Sequence, residues 1–313
     1  MAETGGSTAG AGAGGPIKAV PLRRPGRWIS AAVLVALLFL FAWGAATNDA
    51  YDWPTYGKYL FDQRISAAAL VTLELTVISM LIAVLLGVLL AVMRLSDNPV
   101  LRSLSWLYVW FFRGTPVYVQ LVFWGLITSI YHEVHIGIPW GPTLASFDVR
   151  DVGSAFLFAF IGLGLNEAAY MAEIVRGGIT SVDEGQTEAA QALGMSWAQS
   201  MRRVVLPQAM RVIIPPSGNE VISMLKTTSL VVAVPLTTEL YSRARAIATP
   251  IFRVIPLLLV AATWYLVMTS VLMIGQHYLE RYFARGSRRT MSGRQLAALA
   301  EARNTGAAGG GGA

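Results

Sequence analysis

Apolar residues in this chain gather into six long runs, and the polar residues sit between the runs rather than along them. The runs cover about 28–46, 67–93, 114–131, 152–175, 212–234 and 254–279. Each approaches the roughly 20 apolar residues that an α-helix needs to cross a bilayer. The pattern predicts an all-α, polytopic membrane protein with six transmembrane helices. One stretch breaks the rhythm. Residues 183–207 are amphipathic and soluble in character, yet they lie between two apolar runs. Asp183, Glu184 and Glu188 precede Arg202 and Arg203, an order that complements a helix dipole. Gly194 stands where a turn is wanted and Pro207 where the next helix begins. A compact helix of this kind, exposed between spans, is suited to touching another protein.

Composition narrows the class. At 313 residues the chain is long enough for two soluble domains, but 55% hydrophobic and 13% charged residues argue against that. Cysteine is absent, which excludes disulfides, thiolate metal sites and cysteine catalysis. The net charge of +6 comes mostly from 21 arginines against three lysines, concentrated beside apolar runs and at the termini. Basic flanks of membrane helices explain that placement, and nucleic acid is not an expected partner. Residues 1–15 and 304–313 are dominated by small residues and cannot bury a core, so both ends are expected to be disordered.

Arg23, Arg24 and Arg27 precede the first run, which places the N-terminus in the cytosol by the positive-inside rule. A cleaved signal peptide ending at Ala42-Trp43-Gly44 is the competing reading. The long basic segment and span-length apolar core favour an uncleaved helix. The segments 94–113 and 176–211 and the tail from 280 are then cytosolic, and all are rich in arginine. The segment 235–253 disagrees, because it should face outward and yet holds Arg243, Arg245 and Arg253. Trp43, Tyr51, Trp53, Tyr56 and Tyr59 suit an interfacial aromatic belt or a short helix on the outer surface.

Several motifs occur in one order. Thr72-Leu73-Glu74-Leu75-Thr76 opens the second run, which closes in Met93-Arg94-Leu95-Ser96. Phe112-Arg113-Gly114-Thr115-Pro116 is followed by Val119-Gln120, and Ala168-Ala169-Tyr170-Met171-Ala172-Glu173 runs on to Arg176-Gly177-Gly178. Then come Gly185-Gln186, Glu188-Ala189-Ala190, Gly194, Val204 and Leu206-Pro207, and finally Gln208, Pro215-Pro216, Asn219 and Leu225-Lys226-Thr227-Thr228. Together these resemble a permease of the polar amino acid ABC-importer family from Thr72 to Leu240, with Val204 in place of the usual Ile.

The resemblance implies a five-helix type I ABC importer core at 67–280. An extra N-terminal helix at 28–46 precedes it, with cytosolic tails at 1–27 and 281–313. It also implies a coupling helix, carried by Glu188, Ala189, Ala190, Gly194, Leu206 and Pro207, seated in a groove of an ATPase subunit. The expected partners are two ATP-binding subunits, a second permease subunit of the same or a homologous kind, and an extracytoplasmic substrate-binding protein. The cargo would be a polar amino acid, carried across a bacterial cytoplasmic membrane. ATP and Mg would belong to the ATPase chain. The sequence agrees in lacking a G-x-x-x-x-G-K-[S/T] phosphate loop, so the chain is read as a transport subunit and not an enzyme.

Two polar stripes suggest a permeation path. Asn166, Tyr170 and Glu173 share one face of the fourth run by their i, i+4, i+7 spacing, and Asn219, Ser223 and Lys226 do the same on the fifth. Such stripes are costly against lipid, so they face either a neighbouring helix or water. A zwitterion needs both an acceptor and a cation, which favours a path. Glu167 and Glu220 flank the stripes as second candidates, and Glu173 is placed to brace Arg176. Lys226 needs a partner: Glu74 at comparable height, Glu220, or the substrate. Val221 is expected to face lipid. Thr115-Pro116 reads as a helix start, with Thr115 as its cap.

His132-Glu133-Val134-His135 lacks the spacing of a zinc helix, so no metal site is expected. Gly194-Met195-Ser196-Trp197 lacks the second glycine of a nucleophile elbow. The rival reading is an ion-gradient-driven secondary transporter or channel. It calls for inverted repeats with matching helix breaks, and Pro215-Pro216 has no counterpart in an earlier run.

Overall fold

The computed structural model describes residues 25–138, 143–149 and 153–283. The expected disordered ends, and with them Arg23, Arg24, Arg285, Arg288 and Arg289, lie outside the described residues. Residues 25–27 and 281–283, assigned above to tails, are instead helical.

The first element, α1 (Pro25–Thr47), is apolar along its length and joins a 3-10 turn at Asp49–Tyr51. These residues form one compact unit, and a second begins at Asp52. Within the second unit, α2 (Trp53–Leu60) starts at Asp52, whose carboxylate accepts from Thr55 N at 3.3 Å. One side of α2 is tied inward: the Tyr56 hydroxyl lies 3.0 Å from Thr263 Oγ1, and Trp264 Nε1 donates to Leu60 O at 2.8 Å. Tyr56 and Tyr59 pack on a buried apolar cluster around Leu225, Leu240 and Leu257.

Asp62 caps α3 (Gln63–Leu95), whose 33 residues make a rod of about 50 Å. Next, α4 (Pro99–Gly114) occupies a segment read from sequence as a cytosolic loop. Asn98 caps it and Pro99 starts it, and its buried side holds Ser105 and Val109. Pro116 then forces Thr115 into the extended conformation and breaks the chain before α5 (Val117–Gly125). A second break precedes α6 (Ile127–Ile130). The run 114–131 is therefore not one continuous helix.

A hairpin follows, with β1 (Glu133–Gly137) antiparallel to β2 (Thr143–Asp148) and Glu133 opposite Asp148. It takes in Glu133 and His135 of the motif discounted above as a zinc site. It is the one β structure among the described residues, and no periodicity in the sequence announced it.

The chain then forms α7 (Ala155–Thr180), α8 (Glu184–Ala192), α9 (Trp197–Ser200), a π turn at Met201–Val205 and α10 (Leu206–Thr227). A 3-10 stretch at Thr228–Ala233 leads to α11 (Leu240–Ile251) and α12 (Val254–Phe283). Four described helices, α1, α3, α7 and α12, are each apolar and long enough to cross a membrane. The run 212–234 is divided between α10 and the 3-10 stretch, and α10 carries two prolines and Lys226.

Contacts fix the relative directions. Ser79 of α3 reaches the Phe160 carbonyl, and further along Gly87 lies against Ala168 and Met171, so α3 and α7 run parallel. Parallel neighbours require one return crossing between them, and only the broken α4–α5–α6 segment and the hairpin are available for it. Glu167 meets Glu220, and Gly178 lies against Ile213, so α10 is antiparallel to α7. Gln276 near the end of α12 bonds Pro215 and Asn219, while Leu225 packs with Leu257 and Val260, so α12 reverses again.

Candidate permeation and coupling sites

The predicted stripes on α7 and α10 separate into several local arrangements rather than one continuous path. Asn166 is buried at 8% exposure and faces the break between α4 and α5. Its Nδ2 donates to Phe112 O and to Gln120 Oε1, both at 3.1 Å. Gln120 in turn donates to Phe112 O, Thr115 O and the Thr115 hydroxyl at 3.1, 3.1 and 2.6 Å. These side chains satisfy carbonyls that the broken helix leaves without intrahelical donors. Thr115 does not cap α5: its hydroxyl donates back to Phe111 O at 2.9 Å, and α5 has no side-chain cap.

Glu167 is equally buried and meets Glu220 across the α7–α10 interface, and its Oε1 has no hydrogen-bond partner. Tyr170 is turned toward α4, with the Arg113 guanidinium 5.2 Å from its ring centre. Glu173 Oε2 accepts from Arg176 Nε and Nη2 at 3.1 and 2.8 Å, the bracing contact that the spacing suggested.

On α10, Asn219 is exposed, and its Oδ1 accepts from Gln276 Nε2 at 2.8 Å. Gln276 also donates to Glu280 Oε1 at 2.7 Å, while its own Oε1 is buried without a partner. Ser223 is half-buried and Lys226 exposed. Glu74 is also exposed, on the stripe of α3 that shows Leu70, Val77 and Leu81, and no ion pair among the described residues joins it to Lys226. The proposed Lys226–Glu74 pairing is therefore absent from this chain: similar depth along two helices did not bring the side chains to one face. Val221, expected against lipid, packs instead on the cluster around Leu75, Leu163 and Met224.

The soluble-looking stretch is two helices rather than one rigid rod. Asp183 caps α8 by accepting from Gly185 N at 2.8 Å. Gly194 turns the chain at φ +79°, a conformation that a side chain adopts only with strain. Ser196 then starts α9 in a capping box: Gln199 N donates to Ser196 Oγ, and Ser196 N donates to Gln199 Oε1 at 2.9 Å. Arg202 and Arg203 fall in the π turn, so they balance neither α8 nor its dipole. Pro207 sits in the first turn of α10. Ala190 is buried, Glu188 and Ala189 are exposed, and Leu193 and Trp197 present 80% and 69% of their surface. Gln208 Nε2 reaches Gln186 Oε1 at 3.4 Å and ties α8 to the base of α10.

Sequence reasoning missed one buried polar centre. Glu239 is fully buried and caps α11, with Oε2 accepting from Tyr241 N and Ser242 N at 2.9 and 3.2 Å. Its Oε1 accepts from Thr72 of α3 at 3.1 Å and from the Tyr265 hydroxyl of α12. The signal for it is an acidic residue just ahead of a helical stretch, which the expectation of a loop at 235–253 does not include.

Comparison with known proteins agrees with this architecture. A family described as "Binding-protein-dependent transport system inner membrane component" matches residues 83–285. The arginine transport system permease protein ArgU of Corynebacterium glutamicum is 60% identical over 288 residues, covering 92% of this chain and 89% of that protein. The probable amino-acid permease protein YxeN of Bacillus subtilis is 36% identical, covering 67% of this chain and 87% of that protein. Among solved structures, an amino acid ABC transporter crystallised with histidines has 32% identity and a TM-score of 0.60, covering 75% of this chain and 99% of that one. The MetNI methionine ABC transporter, at 18% identity and a TM-score of 0.56, shares the fold. Matched over most of its length and carrying the same arrangement of helices, the chain belongs to the family of binding-protein-dependent inner-membrane transport components, as the amino-acid permease subunit of an ABC importer.

Proposed function

We propose that this permease passes a cationic amino acid of the arginine type along the α7–α10 face. The observation that carries the reading is the meeting of Glu167 and Glu220, with Glu167 Oε1 buried and lacking a hydrogen-bond partner among the described residues. A guanidinium or ammonium group supplies the donors that this oxygen lacks. Asn219, Ser223 and Lys226 continue along α10, with the exposed Lys226 available to a substrate carboxylate. Asn166 and Tyr170 support the path from behind, through the contacts described above. The name of the 60%-identical arginine permease supports the same substrate class.

The working assembly is proposed to hold a second permease subunit, two ATP-binding subunits that carry ATP and Mg, and an extracytoplasmic binding protein. The exposed Leu193 and Trp197 beside Glu188 and Ala189 support α8–α9 as the surface that meets the ATPase. In this reading the chain spans the bacterial cytoplasmic (inner) membrane several times, with both termini on the cytosolic side. Arg94, Arg102, Arg176, Arg202, Arg203 and Arg211 lie toward the α8 side and support that orientation. Arg253 on the opposite side is paired with Asp52 at 3.3 Å, which lessens its weight against it.

The test is uptake into proteoliposomes holding the permease, its ATPase and its binding protein, scanned over amino acids. Arginine or lysine should be taken up in preference to neutral amino acids. Glu220→Gln should lower uptake at least tenfold while leaving assembly with the ATPase intact. Uptake of neutral amino acids alone, or full activity in Glu220→Gln, would overturn the reading.

A further inference from the structure

A second charged site lies apart from the α7–α10 acid pair. At the ends of α3 and α7 that point toward α8, Arg94, Trp106, Val109, Trp110, Arg113 and Glu173 line an open cleft of about 420 Å³. Arg94 Nη1 is buried there with no hydrogen-bond partner. Arg113 lies over the Tyr170 ring, and among the described residues neither arginine forms an ion pair. Glu173, the one acid in the cleft, already takes both donors of Arg176 on a single oxygen. Glu173 faces Arg94 and Arg113 as well as Arg176, so the cleft carries more guanidinium charge than its one acid offsets. Beside them Trp106 and Trp110 stack at 6.1 Å between ring centres, both exposed.

We propose that this cleft binds the phosphodiester headgroup of an anionic phospholipid. A phosphodiester offers a single negative charge and unprotonated oxygens, which match the fork geometry of two guanidinium groups. Arg94 follows the apolar length of α3 directly, at the depth where lipid headgroups meet hydrocarbon. Tryptophan favours that boundary, and the exposed Leu101, Leu104 and Leu107 on α4 offer the acyl chains an apolar surface. A free phosphate ion would use the arginines but leave this apolar surface without an occupant. The amphipathic α4 then lies in the interface as a lipid-anchored strap across α7, and anionic lipid steadies the Phe112–Gln120–Asn166 knot at its end.

The test uses the full-length chain with its ATPase in phosphatidylcholine nanodiscs that contain a minor fraction of chain-brominated lipid. Tryptophan quenching is compared for brominated phosphatidylglycerol and brominated phosphatidylcholine. Phosphatidylglycerol should associate on the order of tenfold more strongly, given the attraction of two arginines to an anionic surface. The preference should vanish in the Arg94→Gln, Arg113→Gln double variant and persist largely in Arg94→Lys, Arg113→Lys. The excess quenching should disappear in Trp106→Phe, Trp110→Phe. On the unaltered protein, unbrominated phosphatidylglycerol should relieve the quenching and inorganic phosphate should not, which keeps the test valid if the arginine variants fail to fold. Equal quenching by the two lipids, excess quenching that survives loss of the two tryptophans, or relief by inorganic phosphate would each overturn the proposal. The last outcome would make the cleft a site for a soluble anion.

Discussion

Thr72 and Glu239, 167 positions apart, join α3 to the start of α11 through one hydroxyl. The Thr72 oxygen lies 3.1 Å from Glu239 Oε1 and accepts from Leu240 N at the same distance. Thr72→Val keeps the shape and removes both contacts, leaving a buried amide unsatisfied. We expect a loss of about 2–3 kcal/mol, read as a lower unfolding midpoint in detergent. An unchanged midpoint would mean that water replaces the hydroxyl.

Gly87 is pressed between α3 and α7. A Cβ there would lie 2.6 Å from Met171 Cβ and 3.1 Å from Ala172 N. Gly87→Ala should therefore destabilise by roughly 1–3 kcal/mol, although alanine favours helix at exposed positions. A stabilised Gly87→Ala protein would contradict the close approach of the two parallel helices.

Gly194→Ala puts a side chain at φ +79° without touching any neighbour. The strain is about 1 kcal/mol and is confined to the α8–α9 corner. Membrane insertion should be normal, while co-purification with the ATPase and coupled uptake should fall together. Full recovery of both would remove this corner from the docking surface.

Single cysteines report the path cleanly because the chain has none of its own. A small water-soluble thiol reagent should label position 219 and spare position 166, which is locked behind Gln120. Position 271, exposed on α12, should react only with a lipid-soluble reagent. In the same assay series, Lys226→Met should barely change stability but should reduce uptake. Labelling of 166 at the rate of 219 would show that the amide knot opens to water.

Acid should loosen α2. The Asp52 carboxyl is held below its ordinary value of 3.8 by the Thr55 hydrogen bond, with a further contribution from Arg253. A lowered folded-state pKa contributes stability at pH above the unfolded value, and that contribution is lost as pH falls below about 3.8. Hydrogen exchange in Trp53–Leu60 should rise below that pH in the unaltered protein. In Asp52→Asn it should be raised and flat across the same range. A pH-independent profile in the unaltered protein would place the restraint on Tyr56 and Trp264 instead.

The local signals in the sequence were readable because each acts within a few residues. Gly194 and Pro207 mark a turn and a helix start by their own chemistry. The long apolar runs at 67–93 and 254–279 likewise gave continuous helices. Partners across the fold were not readable in the same way. The spacing of Asn166 and Tyr170 says that they share a face of α7, but not that the face meets α4 rather than water. Lys226 and Glu74 matched in depth and not in azimuth, and helical rise alone cannot supply the second coordinate. Apolar content also hid the breaks at Thr115 and Leu126, because a broken pass is as apolar as a whole one.

The two prolines within α10 carry a mechanical consequence. Pro215 and Pro216 have no N–H, so the carbonyls one turn earlier lose their rungs in the helical ladder. The stretch below them, Leu206 to Ile214, is fastened to α8 through Gln208, and the stretch above carries Asn219, Glu220 and Lys226. Two missing rungs at that height make α10 a jointed rod. A push delivered at its base can swing the lower arm while the Gln276 contacts at Pro215 and Asn219 hold the joint against α12, so force reaches the acid pair as a bend rather than a piston stroke.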